Sequence, residues 1–106
     1  MAAKQGARVR GVVGQVRWGY YDAARLEGYT AQRDPKTQRW SLRARVVPGS
    51  ANAFNMRQRP LRFIAPYVIP AKAGKPELKR QWEWLVEDAD ITAGVLTARL
   101  EPLGSF

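Results

Sequence analysis

Eight basic side chains lie close together near the middle of the chain, and their type suits the chemistry of phosphate recognition. They are Arg33, Lys36, Arg39, Arg43, Arg45, Arg57, Arg59 and Arg62. The only acid in the same window is Asp34, so the window supplies +7 of the formal net charge of +9. A guanidinium suits phosphate because its planar fork of donors matches two oxygens at once and is weakly hydrated. The window therefore predicts a polyanionic partner, with DNA or RNA as the first expectation.

Charge is divided unevenly along the chain. Residues 1–62 hold 13 basic and 3 acidic side chains, a net of +10, whereas residues 63–106 hold 5 basic and 6 acidic side chains, a net of −1. This asymmetry predicts a fold with one strongly positive face. The alternative is a generic solubilising surface, although mixed signs would serve solubility equally well.

The composition offers little for catalysis. The chain has no cysteine and no histidine, which excludes thiolate chemistry and the usual general base near neutral pH. Glu77-Leu78-Lys79 has the spacing of a nuclease Glu-x-Lys pair, but it lies in a proline-rich segment and such short patterns arise by chance. Asp88 and Asp90 have a spacing that suits a hard cation, although ion pairing is the commoner role. We therefore predict a protein that is not an enzyme, with no metal and no cofactor.

Period-two alternation of apolar residues indicates strands that display these arginines. The clearest strand is predicted over 40–47, where the even-numbered residues are mostly apolar while Arg43 and Arg45 lie on the other side. Residues 25–33 are predicted to be its antiparallel partner. Asp34 and Pro35 begin the connecting turn with type I turn chemistry.

The length of that turn predicts which residues pair on the outer face. It places Tyr29 opposite Arg43 and Glu27 opposite Arg45, and a one-residue slip would undo both pairs. Proteins that bind single strands combine a basic groove with aromatic rings on which bases stack. Tyr29 is therefore the candidate stacking residue, and the alternative is that the tyrosines fill the rim of the domain. The tryptophans on apolar strand faces are predicted to be core, namely Trp40, Trp82 and Trp84.

A second hairpin is predicted near the end of the sequence. Its strands are Glu87–Ile91 and Val95–Glu101, and Gly94 in the turn between them permits a positive φ. Pro102 is predicted to end this ladder, since proline donates no backbone hydrogen bond. Residues 8–18 alternate weakly, and their glycines predict a twisted or bulged edge strand.

The whole pattern predicts one domain over residues 1–106. A short strand is expected at 61–65, and residues 20–27 have signals both for a helix of two turns and for the start of a strand. The segments predicted to be irregular are a flexible N-terminus, about 1–7, and a Pro/Lys-rich loop, about 66–79. We predict a small β barrel or sandwich of five to seven short antiparallel strands with at most one short helix.

Signals for a membrane or for secretion are lacking in the sequence. No apolar run approaches the roughly 20 residues that a spanning helix needs. The first residues carry a charge without an apolar stretch behind it, unlike a secretory signal. We therefore expect a cytoplasmic protein that has no membrane partner.

Three separated segments together resemble small uncharacterised proteins of phage and prophage genomes. They are Trp40-Ser41-Leu42-Arg43-Ala44, the run 58–66, and Trp82-Glu83-Trp84 before the final hairpin. The resemblance covers roughly residues 17–102, implies a phage or mobile-element origin and transfers no functional residue.

The resemblance raises an alternative to nucleic-acid binding. The protein would be a virion, assembly or host-interaction protein, located in the host cytoplasm or in the virion, and its basic face would dock on an acidic protein surface. Because protein interfaces keep a hydrophobic centre, this alternative predicts an exposed apolar patch beside the arginines, on the strand that contains Trp82 and Trp84.

Overall fold

Six antiparallel strands and one short helix make up residues 8–105, the part of the chain that the computed structural model describes. In chain order they are β1 (Arg8–Trp18), β2 (Tyr21–Arg33), β3 (Trp40–Val46), α1 (Ala53–Met56), β4 (Leu61–Ile69), β5 (Leu78–Thr92) and β6 (Val95–Ser105). The strands form a closed barrel in the order β1-β2-β3-β6-β5-β4. The predicted mainly β fold is confirmed. The N-terminus predicted to be flexible, residues 1–7, lies outside the described residues.

Alternation along the strands fills the barrel interior. In β3 every second residue from Leu42 to Val46 is buried, and the arginines between them are exposed. Trp84 and Phe63 are the largest fully buried side chains, and their rings stack with centroids 5.1 Å apart. Burial of one such side chain stabilises a fold by about 1.5–3 kcal/mol. The interior therefore holds the strands in place and fixes which residues face solvent.

A bulge at Gly28 changes which side of β2 faces the core. Glu27 lies opposite Arg45, as the turn length predicts. Tyr29 does not lie opposite Arg43, because the register shifts by one residue between Glu27 and Tyr29. Gly28 has a φ of 77°, a conformation that glycine adopts without steric cost. The predicted pairing of Glu27 with Arg45 is confirmed, and the predicted pairing of Tyr29 with Arg43 is wrong.

The inward turn of Tyr29 places its ring in the barrel interior. Tyr29 is 6% exposed, and its ring meets Phe63 edge to face with centroids 5.0 Å apart. The same ring covers Gly11 of β1 so closely that a Cβ on Gly11 would overlap it. Glycine at this position is therefore required by packing.

The two predicted hairpins are present, and one of them is longer than predicted. At the β2–β3 turn the Asp34 carboxylate accepts hydrogen bonds from the backbone N–H groups of Lys36 (2.7 Å) and Thr37 (3.2 Å). At the β5–β6 turn Gly94 has a φ of 75°. The prediction that Pro102 ends the last ladder is wrong, because a register shift beside Pro102 lets β6 continue to Ser105.

Strands β4 and β5 extend beyond the barrel as a two-stranded arm, here defined as residues 66–81. Within the described residues, the arm strands pair with each other alone, from Pro66 opposite Gln81 to Ile69 opposite Leu78. The irregular segment predicted for 66–79 therefore shrinks to residues 70–77. Pro66 is tolerated inside β4 because the strand has a partner on one side alone at this point.

The single helix lies elsewhere than the sequence suggested. Residues 21–27 belong to β2, so the strand alternative holds there. The helix α1 begins after Asn52, whose side-chain oxygen accepts a hydrogen bond from the Asn55 N–H at 2.9 Å. The Asn55 amide in turn donates to the Asp22 carbonyl at 2.8 Å, which attaches α1 to the start of β2.

Barrel closure depends on a short contact between the first and fourth strands. β1 pairs with β2 along almost its whole length, but it pairs with β4 at Gln15–Arg17 and Arg62–Ile64 alone within the described residues. The lower part of the barrel, where β1 begins and the arm projects, is therefore more open than the upper part around α1.

Candidate nucleic-acid interface

The predicted basic window is spread over four places around the barrel. Arg43 and Arg45 lie on the outer side of β3, and Arg62 lies on the outer side of β4. Because two strands separate β3 from β4 in either direction around the ring, these arginines face opposite sides of the barrel. The remaining residues lie at the β2–β3 turn (Arg33, Lys36 and Arg39) and beside α1 (Arg57 and Arg59).

Strand pairing brings other arginines to the side that carries Arg43 and Arg45. Arg10 of β1 lies opposite Thr30 of β2, and Thr30 lies opposite Arg43. Since neighbouring strands are about 4.8 Å apart, Arg10 and Arg43 are separated by roughly 10 Å across the sheet. Three further arginines point outward on these strands. We define the arginine face as the outer side of β1, β2 and β3 with Arg8, Arg10, Arg25, Arg43 and Arg45.

The arginine face is short of acidic partners. Glu27 is the acid that faces outward next to these five arginines, and Asp22, the other exposed acid of β2, pairs with Arg17 instead. Within the described residues none of the five arginines forms an ion pair, not even Arg45 with the adjacent Glu27. Thr30 and Val95 border a shallow groove beside Arg43 and Arg45. The surface can therefore offer several free guanidinium groups to an anion along adjacent strands.

The arginines at the rest of the barrel wall have carboxylate partners. Arg62 Nη1 lies 3.1 Å from Glu83 Oε1, and the Glu83 side chain is only 12% exposed. Arg99 contacts Glu87 at 3.4 Å and Asp88 at 3.2 Å. Arg62, which was predicted to bind nucleic acid, is therefore partly neutralised and faces away from Arg43.

The two arginines after α1 have local roles. Arg59 Nη1 donates hydrogen bonds to the carbonyls of Met56 (3.1 Å) and Gln58 (2.8 Å), which satisfies acceptors at the end of the helix. Arg57 is the C-cap residue and is exposed beside a groove that Asp90 also lines. Neither residue lies on β1, β2 or β3, so neither belongs to the arginine face.

At the β2–β3 turn the three predicted residues differ in orientation. Lys36 and Arg39 are exposed near the lower end of β3, and Arg39 lines a groove together with Glu87 and Glu101. Arg33 lies opposite Trp40, on the inward side of its strand. Its Nε is buried and has no hydrogen-bond partner within the described residues. Arg33 thus lies at the lower mouth of the barrel, while Arg43 lies outside.

Tyr29 cannot serve as the predicted stacking residue, because the Gly28 bulge turns its ring into the core. Burial also raises the pKa of its hydroxyl above the ordinary tyrosine value. Trp82, which the alternation predicted to be core, is instead 38% exposed on β5, and Tyr21 at the start of β2 is 62% exposed. Of the other two tryptophans with this prediction, Trp84 is buried and Trp40 is half-buried.

The sequence contained a signal for Trp82 that the alternation alone did not reveal. Trp82 lies on the same side of β5 as the core residue Trp84, but it is two residues nearer to the proline-rich segment. Side chains still alternate between two sides in a strand that leaves the barrel, but those on the inward side no longer pack against the barrel interior and become exposed. Arg8 and Arg10 carried a weaker signal, because their place in the face depends on how β1 pairs with β2.

The acidic residues of β5 take part in ion pairs and hydrogen bonds. Asp88 contacts Arg99, and the Asp90 carboxylate accepts a hydrogen bond from the Thr92 hydroxyl at 2.7 Å. Residues 8–105 contain no group of three or more acidic side chains that could hold a metal ion. Across the same residues, no helix has the length and the apolar character that crossing a membrane requires.

Comparisons of the chain with protein-family models, with curated proteins and with solved structures found no match.

Proposed function

We propose that this protein is a non-catalytic nucleic-acid-binding module that contacts phosphates through the arginine face. The proposal is based on the lack of ion pairs at its guanidinium groups within the described residues. Five arginines share the outer side of three adjacent strands, and none has an ion-pair partner within the described residues. Free guanidinium groups on a sheet suit a phosphate backbone, because the sheet sets the spacing of the residues that carry them before binding.

The proposal differs from the sequence-based prediction in the residues that bind. Arg43 and Arg45 stay in the interface, and Arg8, Arg10 and Arg25 join them. Residues 43 and 45 are about 6.8 Å apart along β3, so their guanidinium groups can reach successive phosphates of one strand. Lys36 and Arg39 extend the interface at its lower end. Arg57, Arg59 and Arg62 leave it, and the stacking role of Tyr29 is withdrawn.

The test is the salt dependence of DNA binding by a pair of matched double variants. On duplex DNA, each phosphate neutralised by the protein steepens the log–log salt slope by about 0.9. Arg43→Gln with Arg45→Gln should therefore reduce the slope by about 1.8. Fluorescence anisotropy of a labelled duplex over a range of NaCl concentrations measures the slope.

Arg62→Gln with Arg99→Gln is the matched control, since it removes the same charge from arginines that already have carboxylate partners. We expect this control to leave the slope almost unchanged. Equal reductions in the two double variants would contradict the proposal, because binding would then follow net charge and not the arginine face.

A second candidate function is docking on an acidic protein surface, as in a virion or assembly protein. The observation that favours it is the exposure of Val12 (76%) and Val13 (64%) on β1, beside Arg10. Protein interfaces combine such an apolar centre with a charged rim. A length-matched acidic polypeptide in the same assay distinguishes the two. Binding to the polypeptide that exceeds binding to DNA at equal salt would favour this second function.

A further inference from the structure

The lower mouth of the barrel has a column of aromatic rings that begins in the core and ends in solvent. Trp84 is 2% exposed, and its ring centroid lies 6.2 Å from that of Trp82. Trp82 in turn stacks on Tyr67 of the arm, with centroids 5.8 Å apart and an angle of 26° between the rings. The exposed ring of Trp82 is thus held on two sides and loses little freedom when a ligand packs against it.

The arm that bears these rings is basic. Within residues 66–81 there are four positive side chains and one acid, Glu77, which gives a net charge of 4 − 1 = +3. Arg80 lies directly opposite Tyr67, on the side of the arm that carries Trp82. The others lie along the second strand and the tip, namely Lys72, Lys75 and Lys79. All four are exposed.

A further positive group lies near the inner end of the column. Arg33 is paired with Trp40, whose ring centroid is 6.1 Å from that of Trp84. The buried Nε of Arg33 has no hydrogen-bond partner within the described residues. An unpaired buried donor is costly, and an oxygen acceptor from a ligand would satisfy it. Aromatic faces and guanidinium groups thus occur together at the mouth.

We propose that the lower mouth binds an unpaired base of a single-stranded nucleic acid, with the base on Trp82 and an adjoining phosphate on Arg80. This proposal rests on the proposed function and specifies the form of nucleic acid. In a duplex the faces of the bases are covered by their neighbours, so an exposed ring can stack only on bases that are unpaired. Base stacking on an aromatic side chain is the usual source of affinity for single strands.

A protein partner is the competing occupant of the arm. Ile69 (36% exposed) and Leu78 (44% exposed) lie opposite each other on the side of the arm that carries Trp82, and they would suit an apolar contact. Lysine, however, is depleted in the centres of protein interfaces. The arm carries three lysines and one arginine, and this composition favours a phosphate backbone.

The experiment compares single and double strands with one substitution. Trp82→Ala should weaken binding to oligo(dT) of about 16 nucleotides by about 5- to 150-fold. Binding to a duplex of the same length should stay within twofold of the unsubstituted protein. Trp82→Phe should restore most of the affinity for oligo(dT), because phenylalanine keeps an aromatic face. Fluorescence anisotropy measures both affinities, and circular dichroism melts establish that each variant is folded.

Tyr20→Ala is the matched control, because Tyr20 is 93% exposed at the β1–β2 turn, at the opposite end of the barrel. It should leave both affinities unchanged. An equal loss for oligo(dT) and duplex in Trp82→Ala would overturn the single-strand inference and leave the arginine face standing.

Two other outcomes also have a fixed meaning. If Trp82→Ala lost binding to an acidic polypeptide but kept its affinity for oligo(dT), the arm would be a protein-docking site and the inference would be overturned. If the unsubstituted protein bound neither oligo(dT) nor duplex at low salt, the inference and the proposed function would both fall.

Discussion

The two sides of this barrel use arginine in different ways. The five arginines of the arginine face point outward with no ion-pair partner within the described residues, whereas Arg62 and Arg99 contact acidic residues of β5. The difference arises from strand order. β5 carries Glu83, Glu87 and Asp88, and its neighbours in the ring are β4 and β6, so it neutralises those two strands. A count of arginines in a sequence therefore measures total charge, and the fold decides how much of it a ligand can use.

The prediction with the largest expected effect uses Leu42→Ala, which destabilises the fold beneath the arginine face without changing the number of charges. Leu42 is 2% exposed beneath the arginine face, and Leu42→Ala should lower the free energy of unfolding by about 2–5 kcal/mol through the lost contacts and the cavity. Chemical denaturation measures this loss. Leu103→Ala removes the same atoms from a residue that is 41% exposed, and it should cost less than about 0.5 kcal/mol.

The same variant then reports on binding. At a urea concentration that unfolds the Leu42 variant but not the unsubstituted protein, both chains have the same charges. We expect the unfolded variant to bind duplex DNA more weakly and with a shallower salt slope. Equal affinities and slopes would show that the position of the arginines is unimportant, and the contrast between the two sides would lose its functional meaning.

A smaller effect is expected from one arginine that the basic window did not include. Arg10→Gln should reduce the salt slope for duplex DNA by about 0.9, because one phosphate contact is lost. Arg17→Gln is the control on the same strand, since Arg17 lies 3.8 Å from Asp22 and donates a hydrogen bond to the Tyr20 carbonyl. A larger change for Arg17 than for Arg10 would mean that free and paired arginines do not differ as described.

The smallest expected effect is the direction of the pKa shift of Tyr29, which reports the side of β2 on which this residue lies. On the arginine face, nearby positive charge would lower the pKa of Tyr29, whereas burial in the core raises it. Absorbance titration of the four tyrosines should therefore show one that titrates last, and Tyr29→Phe should remove it. If Tyr29→Phe instead removed a tyrosine that titrates below the ordinary value of about 10, Tyr29 would lie on the face.

The same shift has a consequence for stability. The pKa of Tyr29 is higher in the folded state than in the unfolded state, so folding favours the protonated phenol. This contribution is fully present below about pH 10 and is lost as the pH rises through the folded-state pKa. Tyr29→Phe should remove this alkaline loss of stability, and thermal melts at a series of alkaline pH values measure it.

Local patterns predicted the elements of this fold well. The alternation from Trp40 to Val46 and the turn chemistry at Asp34 each depend on neighbours along the chain, and both were confirmed. The position of Tyr29 was missed because one inserted residue reverses the side of every residue that follows it in a strand. Alternation in the sequence does not mark where such an insertion falls.

The candidate site was harder to predict than the elements. The membership of Arg10 in the arginine face depends on the pairing of β1 with β2, and the separation of Arg62 depends on strand order around the ring. Neither relation can be read from spacing in the sequence. The exposure of Trp82 depends on where β5 leaves the barrel, which the proline-rich segment after Ile69 suggested but did not fix.

The short pairing between β1 and β4 is the place where the barrel can open most easily, by separation of these two strands. Within residues 8–105, three residue pairs close the ring there, while β1 and β2 share ten. Local opening proceeds where the fewest hydrogen bonds are lost, so amide protons along this line should exchange with solvent before those between β2 and β3. Opening would leave Gln15–Arg17 and Arg62–Ile64 as adjacent unpaired strand edges. The barrel would then become a curved six-stranded sheet with the arginine face intact on one half.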